Sequence, residues 1–174
     1  MHRVLTFALM TLMLAPAAAP AAEGPKIGYV DVPYLIDNSP QAEAASSELE
    51  EQFGPKQQQL QSKQKEFQQI QQKLQKDGLV MEEAKRKELE QRLQELKRDI
   101  QRSQQAFQEE LNIQRNSAFK QVRQAVMRAV QNLAKNEGYD LVVGQGALYA
   151  SEAVNLTERV LQRMKENYDP QQSD

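Results

Sequence analysis

Side chains able to do covalent or acid–base chemistry are scarce in this sequence, and those present are poorly placed for it. The single histidine is His2 and there is no cysteine. Beyond the extreme N-terminus the chain therefore lacks the usual soft metal ligands and the commonest general acid–base and thiol groups. Serine and threonine hydroxyls have no imidazole to activate them. Adjacent carboxylates occur at Glu50-Glu51 and Glu109-Glu110, but both pairs fall in strongly polar helical sequence, away from the desolvation that tunes a catalytic carboxyl. No G-x-x-x-x-G-K or G-x-G-x-x-G run offers a phosphate cradle. The residues argue against an enzyme: no catalytic, cofactor or metal site is expected, and neither nucleotide nor nucleic acid is an expected partner. What remains is adhesion by charge and apolar surface. Its candidates are Lys73, Lys76, Lys85, Arg86 and Lys87, which surround the apolar run Leu79-Val80-Met81.

These residues sit in the middle of one long stretch, roughly Ser39 to Asn136, that reads as two helices folded back on each other at Asp77-Gly78. Phe53, Leu60, Phe67, Leu74 and Met81 recur every seven residues, with Leu49 and Ile70 between. The returning limb carries Leu89, Leu93, Leu96, Ile100 and Phe107, four and three apart. Heptad spacing makes a seam wide enough to zip one helix to another and too narrow to face a thick core. The intervening positions are mostly Gln, Glu, Lys and Arg, so the hairpin is an arm projecting from something else. Leu79, Val80 and Met81 stand at its tip, where polar residues would be ordinary; either they dock across the hairpin end or they face outward.

Ser39-Pro40 reads as an N-cap with proline at the first helical position. Gly54-Pro55 interrupts the first limb, and a break or bend is expected there; it is either a hinge or a tolerated kink. Past Phe107 the phase changes, and Ile113, Phe119, Val122, Val126, Val130 and Leu133 form a wider stripe of the kind that packs into a core. Asn136-Glu137-Gly138 reads as a helix C-cap.

Ile27–Asp31 and Tyr139–Val143 read as strands, with Ala147–Ala150 a third, shorter one after the turn at Gly144–Gly146. Val32–Ile36 reads as a connecting apolar segment. Asn155 with Glu158 resembles a capping box opening a last helix from Leu156 to about Asn167. The fold class is α+β: a small strand head, split by a long antiparallel coiled-coil hairpin. Strands this few and short cannot close a core alone, so the head is expected to be oligomeric.

Met1-His2-Arg3, the apolar run Val4–Ala15 and Ala19-Pro20-Ala21 have the form of an export signal cleaved after Ala21 or Ala22. Export without cysteine rules out the disulfide-stapled scaffold classes. Residues 56–128 carry 16 basic and 10 acidic side chains, whereas 23–55 carry 1 and 7, and 129–174 carry 4 and 7. A mildly basic arm between acidic ends can approach anionic surfaces or chains; a solvated coiled-coil surface is equally consistent with those counts.

The export signal, the Ile27–Asp31 strand, the Gln/Lys/Glu-rich hairpin, Tyr139-Asp140-Leu141-Val142-Val143 and the closing Asn155-Leu156-Thr157 helix start resemble the Skp (OmpH-like) periplasmic chaperones, in order and over essentially the whole mature chain. That resemblance implies a homotrimer in which three heads form a barrel-like body and three arms enclose a cavity. The cavity holds unfolded outer-membrane proteins without ATP, in the periplasm. It implies the division 1–22 signal peptide, 23–54 first part of the head, 55–112 arm, 113–168 second part of the head and 169–174 frayed tail. The family's best-known members are strongly basic, whereas this chain has a pI near 5.6. No specific lipopolysaccharide site is therefore carried over, and weak contact with an anionic membrane or lipopolysaccharide rests on the tip residues as candidates. The competing reading is a periplasmic coiled-coil adaptor that scaffolds the cell envelope.

Overall fold

The computed structural model describes residues 24–169; the expected export signal over 1–22 and the expected tail beyond Asp169 lie outside the described residues. The elements are β1 (Ile27–Tyr29), α1 (Val32–Asn38), α2 (Pro40–Asp77), α3 (Glu83–Glu137), β2 (Leu141–Val143), a single 3-10 turn (Glu152–Val154) and α4 (Thr157–Glu166). At 1.5 Å per residue α2 is about 57 Å long and α3 about 82 Å. The fold is α+β, a small strand-bearing head with a long helical hairpin, as the alternation of strand and heptad signals implies.

The head closes across the hairpin. β1 lies parallel to β2 in the register Ile27↔Leu141, Gly28↔Val142, Tyr29↔Val143. The pairing is extended by Asp140 N–H to the Lys26 carbonyl and Val30 N–H to the Val143 carbonyl, both at 2.9 Å. On its other edge β1 meets the chain again, where Leu156 N–H donates to the Tyr29 carbonyl at 2.8 Å and Tyr29 bridges to Asn155. Asp31 N–H then donates to Thr157 Oγ1 at 2.9 Å. Beneath this ladder Val30, Leu35, Val126, Val130, Leu133, Leu156, Val160, Leu161 and Met164 form the core.

Several expectations hold at the level of single caps. The Ser39 hydroxyl accepts from Ala42 N–H with Pro40 in the first turn of α2, and Gly138 ends α3 at φ 68°, a left-handed conformation that glycine adopts without steric cost. Five expectations do not hold. Val32–Asn38 is a helix, not a connector: Asp31 caps it by accepting from Tyr34 N–H, and Pro33 sits in its first turn, where the missing donor costs nothing. α2 is continuous through Gly54-Pro55, so the expected break is absent. Ala147–Ala150 forms no strand, because no strand among the described residues lies beside it, and Leu148 and Tyr149 stand in solvent. Ile113 and Phe119 are exposed, not buried with Val122 and Val126. The capping box is replaced by a shorter turn in which Asn155 Oδ1 accepts from Thr157 N–H at 3.0 Å, while Asn155 N–H donates to the Glu152 carbonyl.

Gly28 is where the ladder meets the core. A Cβ there would collide with the Leu156 side chain and come within 3.3 Å of the Tyr139 ring. Gly28→Ala is therefore expected to destabilise the fold by about 1–3 kcal/mol, through overpacking alone. Urea unfolding of the two proteins side by side measures this, and coincident midpoints would contradict it.

Candidate functional site

The arm is held by a seam of partly buried side chains. Every heptad residue named above is at least half withdrawn from solvent, but only Phe53 and Leu96 are fully buried. Phe53 and Phe107 meet edge to face with ring centroids 5.7 Å apart, near the base of the arm. Two ion pairs cross between limbs, Lys56–Glu110 at 2.6 Å and Arg92–Glu66 at 2.9 Å, and Lys63 Nζ donates to Ser103 Oγ at 3.2 Å. These groups are about half exposed, so their energetic contribution is small; together they fix which residue of one limb faces which of the other. Glu50, Glu51 and Glu109 face water, and Glu110 is taken up by Lys56.

Pro55 lies within this frame. It has no N–H to give the Glu51 carbonyl, and its ring crowds that carbonyl. The helix nevertheless continues because Phe53 on one side and the Lys56–Glu110 pair on the other tie it to α3. A Cβ at Gly54 would meet nothing within 4 Å, so that glycine has no packing reason to be there. Beyond Pro55 a cleft of about 240 Å³ opens between the limbs, lined by Lys56, Leu60, Lys63, Ser103, Phe107 and Glu110.

At the tip, Leu79 is 100% and Val80 87% exposed, while Met81 is half-buried. Of the alternatives the sequence leaves open, outward-facing describes Leu79 and Val80. The five basic candidates divide. Lys85, Arg86 and Lys87 each pair within α3, to Glu88 at 2.7 Å, Glu90 at 3.8 Å and Glu83 at 2.7 Å. Lys73 and Lys76, on the last turns of α2, have no ion-pair partner among the described residues. The uncompensated charge at the tip thus comes from the first limb, beside the two exposed apolar residues.

The head carries charge of a different kind. Glu137, at the end of α3, is gripped by Arg159 and by Arg163 at 3.0 Å, and Lys26 Nζ donates to its carbonyl at 2.7 Å. The Tyr139 hydroxyl, then Glu137, raise the pKa of Arg159 by hydrogen bonding, and a hydrogen bond with Glu158 raises that of Tyr34. This network welds β1, α3 and α4 together at the surface. Among the described residues no cluster of His, Cys, Asp or Glu could hold a metal ion, and no helix is long and apolar enough to cross a membrane.

Periodicity misleads on α3 next to the head. Ile113, Phe119 and Met127 are 59%, 55% and 41% exposed, and Arg115, Lys120, Arg123 and Arg128 beside them make no ion pair among the described residues. A signal for this was present in the sequence: between Glu110 and Glu137 there is no carboxylate at all.

A family model described as outer membrane protein (OmpH-like) matches residues 26–164. The chain is 30% identical over 166 residues to the chaperone protein Skp of Pectobacterium atrosepticum, covering 95% of this chain and all of that protein. It is 32% identical over 166 residues, with the same coverage, to the chaperone protein Skp of Yersinia pseudotuberculosis. In three dimensions it is similar to a crystal structure of an OmpH-like protein from Caulobacter crescentus CB15. The TM-score is 0.71 at 16% identity, over 90% of this chain and 92% of the other.

Pro55 is the residue whose replacement reads out the stiffness of the arm. Pro55→Ala restores one helical hydrogen bond and is expected to raise stability by about 1–3 kcal/mol. Thermal unfolding followed at the helix band measures it. A lowered midpoint would mean that proline's restriction of the unfolded chain outweighs the missing bond.

Proposed function

The chain belongs to the OmpH-like outer membrane protein family, and on that premise we propose that it is a periplasmic holding chaperone for unfolded outer-membrane proteins. It works without ATP, and client chains are kept between the arms of a homotrimer. It is not an enzyme; its relatives bear the name of a chaperone. The working division is a signal peptide over 1–22, a head from 23–54 and 113–168, an arm over 55–112 and a tail from 169.

The observation that supports this reading is apolar surface left outside on a charged scaffold. Leu79 and Val80 have no contact that would hide them, yet they stand at the end of an arm rich in Gln, Lys and Glu. An unfolded barrel protein presents short segments of alternating apolar and polar residues. Isolated apolar groups among mobile polar side chains bind such segments weakly and release them. Several arms around one client multiply weak contacts through effective concentration, so no single contact needs to be strong and no ATP is needed to break it. Gly54-Pro55 lets the arms adjust to clients of different size, since Pro55 removes one rung of α2 without ending the helix. Lys73 and Lys76 give the tip a weak affinity for anionic client segments, lipid or lipopolysaccharide.

What the head leaves open supports an assembly of the kind this reading needs. Among the described residues β2 has β1 on one edge and nothing on the other, Leu141 is 52% exposed, and Leu148 and Tyr149 project into solvent beyond the turn that follows β2. An unpaired edge beside exposed apolar residues is stable only when another chain covers it.

Two experiments test this. Diluting a urea-denatured eight-stranded outer-membrane barrel protein into buffer with the purified mature chain is expected to abolish light scattering, equally with and without ATP. Scattering that rises as in the chain's absence would favour the structural adaptor instead. In analytical ultracentrifugation at micromolar concentration the chain is expected to run at three times its monomer mass, and Leu148→Asp with Tyr149→Asp to fall to monomer. A wild-type monomer would remove the trimer from the mechanism.

A further inference from the structure

Where α3 passes out of the arm into the head, it presents one unbroken outward stripe in which Ile113, Asn116, Lys120, Arg123 and Met127 follow each other at alternating three- and four-residue steps, with Phe119 alongside. Residues three and four apart are neighbours on a helix, so these side chains form a single face. All six are exposed. Lys120 and Arg123 have no ion-pair partner among the described residues, and neither do Arg115 and Arg128 on either side. The sequence supplies no carboxylate from Leu111 to Asn136 to meet them. Elsewhere on the same helix Lys85, Arg86, Lys87, Arg92 and Arg102 each have an acidic partner within four residues or across the seam, while Lys97, Arg98 and Lys135, like the stripe, make no ion pair among the described residues. What sets the stripe apart is that exposed apolar side chains alternate with its unpaired cations and that no carboxylate of the same helix lies between them.

We infer that this stripe is the principal client-binding surface of the chain, and that its ligand is an extended, unfolded polypeptide segment carrying carboxylates between apolar side chains. This rests on the chaperone reading above and names the contact that reading leaves unspecified. The stripe is about 21 Å long, and an extended chain covers that with about six residues, fewer than one transmembrane strand provides. Ile113 and Met127 anchor its two ends, Lys120 and Arg123 meet acidic side chains between them, and Phe119 widens the apolar part. The charge on the stripe selects the occupant, because two cations side by side are compensated only by carboxylates that the occupant brings.

A second copy of the chain is the competing occupant. The outward face of α2 at the same level bears Glu43, Ser47, Glu50 and Glu51, all exposed and without ion-pair partners among the described residues. That face is complementary in charge but offers no apolar side chain to Ile113, Phe119 or Met127. An unfolded barrel segment offers both.

The test uses the full mature chain and two separate variants, Lys120→Glu with Arg123→Glu, and Ile113→Ser with Phe119→Ser. Binding of the denatured eight-stranded barrel protein is measured by fluorescence at low and high salt, and assembly mass by ultracentrifugation. Both variants are expected to lose client affinity on the order of tenfold or more, because the loss repeats on every subunit. The charge variant should also lose most of the salt dependence shown by wild type, and both should keep the wild-type mass and helix content. Client affinity unchanged in either variant overturns the assignment, as does a fall in assembly mass, which would give the stripe to a neighbouring copy. A wild-type chain that binds no client defeats the chaperone reading itself, which is a separate result.

Discussion

Everything in this fold depends on three residues of one strand finding three residues of another across almost the whole length of the chain. β1 begins at Ile27 and β2 at Leu141, and a pair this short is marginal on its own. Two things make it persist. The first is that the intervening chain is not a loose loop. Once α2 and α3 zip along their seam, residues near 40 and near 120 lie side by side, and most of the closure entropy has already been spent on local contacts. The second is that β1 and the residues just after it are clasped from both edges, by β2 on one side and by Asn155, Leu156 and Thr157 on the other. The strand works less as part of a sheet than as a bolt through the head.

The bolt also explains why the arm can be so polar. A hairpin held only by a heptad seam has little apolar surface to bury, and its cross-limb ion pairs are too exposed to add much. Its stability is borrowed from the base, where Phe53 packs on Phe107 and α3 runs on into the core through Val122, Val126, Val130 and Leu133. Away from that base the same helix needs only to stay helical, which Gln, Lys, Glu and Arg do well in water.

What could be read in the sequence follows this division. Where one helix meets one helix, spacing decides the outcome, and the seam from Phe53 to Phe107 and the turn at Asp77-Gly78 were legible residue by residue. Caps were legible where side chain and backbone cooperate locally, as at Ser39-Pro40 and Gly138. Short elements were not. Val32–Asn38 spans two turns, too few for periodicity, and only Asp31 and Pro33 marked it as a helix. Ala147–Ala150 has strand composition, but a strand exists only beside another strand, and composition carries no information about a partner. Ile113 and Phe119 were misassigned because periodicity tells which residues share a face of a helix and not whether anything covers that face. Among the adhesive candidates, the sequence grouped five bases at the tip, but whether a lysine is free depends on which rotamer reaches which glutamate. That separates Lys73 and Lys76 from Lys85, Arg86 and Lys87.

The exposed apolar residues then fall into three levels along one molecule. Ile27, Leu141, Leu148 and Tyr149 lie at the head edge, Ile113, Phe119 and Met127 where α3 passes out of the arm into the head, and Leu79 and Val80 at the end of the arm. A protein that leaves this much apolar surface in water risks clumping unless each patch is kept small and flanked by charge or matched to a specific cover. The head-edge group has backbone edges beside it, which favour a partner with defined geometry. The other two groups have none; they are ringed instead by cations, without ion-pair partners among the described residues at Lys73, Lys76, Lys120 and Arg123, that repel a second identical patch. The same pattern of charge that repels a second identical patch suits the contact proposed above, with a chain that is apolar and acidic.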